Sequence, residues 1–105
     1  MADPLIWIGL VEVRPHPGSN TLGAAKGGAT NVVTWAADVA EFRSKAETLM
    51  THLGLELVEV EDAESVDHRV RAGYVLSAEL VQIIAETEVN PQAIRFSTFH
   101  TWSEE

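Results

Sequence analysis

Asp38-Val39-Ala40-Glu41-Phe42-Arg43-Ser44-Lys45-Ala46-Glu47-Thr48-Leu49-Met50-Thr51-His52-Leu53-Gly54 carries the strongest local pattern in this sequence, and the neighbouring segments are read against it. Val39, Phe42, Ala46, Leu49, Met50 and Leu53 recur at intervals of three and four residues, which gathers them on one stripe of a helix. Asp38 is a capping residue, with Glu41 at the third helical position to reach back in a capping-box arrangement. Gly54 supplies the left-handed stop. The spacing therefore predicts a helix between Asp38 and Gly54 with Phe42 fully buried.

Upstream, Ala29 to Ala37 reads as a strand with Val33 and Trp35 on one side and Thr30, Val32 and Thr34 on the other. Trp35 is expected on the side that the helix covers. Leu5 to Arg14 is a second strand in which Ile6, Ile8 and Leu10 share one face and Trp7, Val11 and Val13 the other. Between them, residues 15–28 concentrate turn formers and show no regular period, which predicts a flexible Gly/Pro-rich loop. Downstream, Leu55 to Asp62 is a strand whose apolar parity changes between Leu57 and Val58, the mark of a bulge or of a strand covered differently along its length. Residues 63–72 suit a short helix or an extended segment. Ser77 caps a further helix carrying Leu80, Val81, Ile83 and Ile84, which Asn90-Pro91 ends. A last strand runs from about Ala93 to Trp102, with Ile94, Phe96, His100 and Trp102 expected on one face.

The resulting ββαβαβ order predicts an α+β fold, a two-layer sandwich of a mixed four-stranded sheet with helices on one face, ferredoxin-like in outline. The second and third strands, joined through a helix, should run parallel, and the first two should form a long-looped hairpin.

With 105 residues, 46% of them apolar, the chain suits one packed domain over residues 1–105. The absence of cysteine excludes disulfides, thiol nucleophiles, thiolate zinc sites and iron–sulfur ligation. Met1-Ala2-Asp3-Pro4 precedes an apolar run without a basic residue, unlike a secretory signal, and no stretch reaches the roughly 18 apolar residues of a membrane span. A cytoplasmic location is the expectation. Sixteen acidic against seven basic residues give a formal charge of −9, which disfavours nucleic acid and anionic membranes and favours a basic protein partner.

Few motifs suggest chemistry. Gly18 and Gly23 have the spacing of a phosphate-binding loop, but Ala24 and Ala25 stand where Lys and Ser or Thr are required, and a strand follows where a helix is needed. His16, His52, His68 and His100 match no metal spacing. His52 and His68 suit helix C-termini, while His100 lies on the apolar side of the last strand. The common hydrolase and deaminase patterns are absent. No catalytic, cofactor-binding or metal-ligating residue is nominated, and an enzyme is the less favoured reading.

The clearest bias is acidic. Glu56, Glu59, Glu61, Asp62, Glu64 and Asp67 place six carboxylates within twelve residues without a basic side chain between them. Such a run solvates a strand edge and prevents edge-to-edge association, or it meets a basic partner, in which case Glu59, Glu61, Asp62, Glu64 and Asp67 are the candidate contacts. Trp7 and Trp102, near strand ends, suit core or interface alike. Apolar residues on both sides of the first and last strands also suggest a homodimer that covers the second sheet face. The reading that joins these features is a non-enzymatic binding or assembly module of the inhibitor, immunity or adaptor type. Its alternatives are a small enzyme or ligand-binding domain using the glycine loop and a histidine, and a structural subunit of an oligomer.

Overall fold

The structure, a computed structural model, describes residues 4–102; the reading of Met1 to Asp3 lies outside the described residues. Strands β1 (Leu5–Pro15) and β2 (Gly27–Ala36) are followed by α1 (Val39–His52), β3 (Leu55–Ser65), α2 (Val66–Arg71), α3 (Ala78–Glu88), β4 (Ile94–Phe96) and β5 (His100–Trp102). The sheet order is β3-β1-β2-β4, and β5 also pairs with β2.

β1 is central because both of its faces are apolar, and Ile8, Val11 and Val13 are all buried. It pairs antiparallel with β2 on one side and β3 on the other. β2 and β3 therefore run parallel, as expected of strands joined through a helix, but β1 separates them. Every pairing in the sheet is antiparallel, so the expectation of a mixed sheet is corrected: α1 crosses over β1 instead of linking adjacent strands.

α1 starts where the cap predicts. The Asp38 carboxylate accepts the Glu41 N–H at 2.8 Å, and Glu41 reaches back to accept the Ala37 N–H at 2.6 Å. Phe42, Ala46 and Met50 are buried against Val11, Val13, Val32, Ala36 and Leu55. This helix on this sheet face forms the α+β sandwich that the element order predicts. Ile8 and Val33, paired directly across β1 and β2, instead pack with Ile83 of α3. Since Val32 and Val33 are successive residues of one strand, their side chains point to opposite faces. α3 thus covers the face opposite α1, correcting the expectation of helices on one face. At this end of β1 and β2 both faces are apolar, and each requires cover. Trp35 follows Val33 to the α3 side, where its indole N–H donates to the Thr87 carbonyl at 2.8 Å, and not to the α1 side as expected.

The last strand is two short ones. From Phe96 to His100 the chain takes four steps while its partners, Val32 and Ala29, are three apart. Thr30 accommodates the extra residue by donating to the Ser97 carbonyl at 2.6 Å, while the Ser97 N–H donates to the Asn31 carbonyl at 3.0 Å. The irregularity reverses the parity. Ile94 and Phe96 lie on the α1 face, whereas His100 and Trp102 lie on the other, correcting their expected common face.

The β1–β2 connection, residues 16–26, is tied to the end of α1. The His16 N–H donates to the Gly54 carbonyl at 3.1 Å, Thr21 Oγ1 donates to the Leu53 carbonyl, and Leu22 packs on the α1 core.

Candidate functional site

α2 and α3 cover only one end of the face opposite α1. Towards the other end this face is built from Leu10 and Glu12 of β1, Ala29 and Asn31 of β2 and the acidic residues of β3. Alternation on β1 carries the Ile6, Ile8, Leu10 side on to Glu12. On β3 two bulges set the pattern. The first inserts Val58, because Val13 pairs with Leu57 and Glu12 with Glu59; this is the parity change expected between Leu57 and Val58. The second lies between the partners of Leu10 and Ile8, where Asp62 takes a positive φ of 54°, a conformation that aspartate tolerates better than most residues.

With these bulges, Leu57 and Val60 face α1, while Glu59 pairs with Glu12 and Glu61 with Leu10 on the other face. Glu59, Glu61 and Asp62 are exposed and Glu12 half-buried. The Glu61 carboxyl is held above its ordinary pKa, mainly by Glu59 beside it and further by Asp62 and Glu12. The proton is favoured there because it makes a hydrogen bond between the Glu61 and Glu59 carboxyls possible and relieves repulsion between like charges.

The rest of the acidic run has internal partners. Glu56 accepts two bonds from Arg14, at 2.9 and 3.1 Å, which lower its pKa. Glu64 accepts from Arg69 at 2.8 Å and contacts His68 Nδ1 at 2.7 Å; these hydrogen bonds, Arg69's first, hold its carboxyl below the usual range. Asp67 pairs with Arg71 one helical turn on. Of the five nominated contacts, the fold therefore assembles Glu59, Glu61 and Asp62, with no ion pair to them among the described residues, while Glu64 and Asp67 brace α2. Glu12 was missed. Its membership depends on β1 pairing with β3, although its place beyond Leu10 on one strand face was a legible signal.

Beside the carboxylates the sheet meets the segment joining α2 to α3 in a cleft of about 390 Å³, with Leu10 and Asn31 among its floor residues and Tyr74, Val75 and Leu80 among the others lining it. Asp62 also lines it, linking cleft and acidic surface. Tyr74 is 63% and Val75 92% exposed. Arg69 is buried, with its Nη2 donating to the Asp62 carbonyl at 2.6 Å and its guanidinium 5.1 Å from the centre of the Tyr74 ring. Its charge is matched by Glu64, so the surroundings of the cleft remain negative.

The four histidines are spread over the molecule. His16 is in the loop, His52 ends α1, His68 pairs with Glu64, and His100 is exposed with its ring 6.4 Å from that of Trp102. Among the described residues no group of three or more histidine or acidic side chains is placed to hold a metal ion, and no helix is long and apolar enough to cross a membrane. Trp7 packs on Phe42 with ring centres 6.3 Å apart. The end of the second sheet face that suggested a homodimer is covered by α3. Compared with known proteins, the chain matches no family model, no curated protein and no solved structure.

Proposed function

We propose that this protein is a non-enzymatic binding module that takes a basic segment of a protein partner on the half of its sheet formed by β1 and β3. The observation that carries this reading is the convergence of Glu12, Glu59, Glu61 and Asp62 beside a cleft, where the Glu61 pKa is raised first by its hydrogen bond to Glu59 and then by repulsion from the like charges around it. A lysine or arginine placed among them relieves that repulsion, and the excess of negative charge speeds encounter.

The test uses synthetic Lys/Arg-bearing peptides, titrated against the protein and against a Glu12→Gln, Glu59→Gln, Glu61→Gln variant at several salt concentrations. Binding to the parent protein that weakens with salt and falls at least tenfold in the variant supports the reading. Equal binding by both proteins, or no binding to either, overturns it. A homodimer, the other occupant suggested by the sequence, would have to oppose two negative surfaces or use another face; sedimentation over a range of concentrations distinguishes it.

A further inference from the structure

Within the cleft formed where the α2–α3 connection overhangs Leu10 and Asn31, we infer a specificity pocket for one large apolar side chain, flanked by lysine or arginine in the bound segment. This inference rests on the binding reading above and adds what the partner must contain.

Three observations converge on it. The cleft, at about 390 Å³, is within the size range of concave recognition sites, which combine apolar walls with a few polar groups. Its apolar walls include Leu10, Leu80, Val75 and the Tyr74 ring, with Asn31 and Ser77 as polar lining between them, and Val75 and Tyr74 are the kind of exposed apolar surface that a partner covers. The carboxylates also stand next to it: Asp62 lines the cleft itself, and Glu61 pairs with Leu10 of its floor. Hence a residue bound in the cleft places its sequence neighbours over Glu61, Glu59 and Glu12. Arg69, which lines the cleft, is committed to Glu64 and to the Asp62 carbonyl, so it holds the Tyr74 side of the cleft without offering net positive charge against a basic segment. Arg14, beyond Glu12 on the same strand face, is likewise paired with Glu56. Charge complementarity selects a basic partner, and the apolar walls select its anchor.

The experiment compares two peptides, one with leucine between lysines and arginines and one with serine in its place, binding to the 105-residue chain. The leucine peptide should bind about tenfold more tightly, equivalent to about 1.4 kcal/mol. A Tyr74→Ser, Val75→Ser variant, altered only at exposed positions, should abolish that difference and retain the salt-sensitive binding of the serine peptide. The Glu12→Gln, Glu59→Gln, Glu61→Gln variant should weaken both peptides alike. Thermal melts of both variants verify that the fold is retained. If both peptides bind equally and with salt sensitivity, the pocket is overturned and the acidic surface stands. If neither binds, both readings fall. If the leucine preference survives in the serine double variant, the anchor lies elsewhere and the pocket is overturned.

Discussion

Gly9 shows how closely one residue can be constrained. A Cβ there would lie 2.8 and 2.9 Å from carbons of the Phe42 ring and 3.2 Å from the Ala63 backbone, so α1 reaches the sheet only because β1 has no side chain at this point. We expect Gly9→Ala to lower stability by about 1 to 3 kcal/mol through overpacking. Phe42→Ala, which empties the same contact from the other side, should cost about 3 to 5 kcal/mol; chemical denaturation measures both, and a loss below about 1 kcal/mol for Phe42→Ala would contradict its complete burial. Gly27 is a contrasting case: the atoms an added Cβ would meet, at 2.6 to 3.0 Å, belong to the indole of Trp102, which is partly exposed and free to shift. Gly27→Ala should therefore move Trp102, seen as a change in its fluorescence, with less loss of stability than Gly9→Ala. Glu61 makes a prediction about pH. Its folded pKa is raised by Glu59, so between the unfolded and folded values the native state holds more protons, and stability falls as pH rises through that range. Glu61→Gln should raise the melting temperature at neutral pH, and the gain should disappear below the ordinary carboxylate range.

Among the elements, α1 and β3 show opposite relations between local pattern and structure. α1 starts at its cap, and Asp38→Ala, which removes the acceptor for the Glu41 N–H, should cost about 1 kcal/mol of stability. β3 is shaped by its partner: its two bulges are defined only in register with β1, and they turn a run of alternating acids into a carboxylate surface on one face and an apolar surface on the other. The turn into α2 is then held by Glu64, Arg69 and His68. Because the Glu64 pKa is lowered in the fold, its contribution is present above the unfolded value and is lost as pH falls through the folded one. Glu64→Gln should accordingly melt lower than the parent at neutral pH, with the two converging in acid. A constant difference across that range would assign the loss to packing and not to charge.

For the whole molecule, the net charge of −9 and its arrangement are separate properties. Arg14, Arg69 and Arg71 neutralise Glu56, Glu64 and Asp67, and where β1 and β3 meet this leaves a cluster of four carboxylates, Glu12, Glu59, Glu61 and Asp62. Asp38, Glu47, Glu79 and Glu88 spread further negative charge around α1 and α3. Association with a basic peptide should therefore depend on Glu12, Glu59 and Glu61 together. Its rate should fall as the screening length contracts to roughly 10 Å at 0.1 M salt. Neutralising Glu56 and Asp67 should alter that rate less, a comparison that stopped-flow measurements can make.

The sequence by itself determined the helices α1 and α3 with their caps Asp38 and Ser77, the burial of Phe42, the α+β class and the change of parity after Leu57, because each depends on residues near one another in the chain and on the period of their apolar positions. By contrast, α2 and the bulge at Val58 were each one of two readings until the structure chose between them. Only the tertiary structure decided which face each helix covers, since both faces of β1 and β2 are apolar and parity alone does not choose between them. The same holds for the sites of the last strand, where one extra residue held by Thr30 and Asn31 sends His100 and Trp102 to the face opposite Phe96. The candidate site divides in the same way. The acidic run was legible, but the separation of its solvent-facing members from its paired ones, the inclusion of Glu12 and the cleft beside them come from strand register and from the fold of the α2–α3 connection, which bring together residues that no local pattern relates.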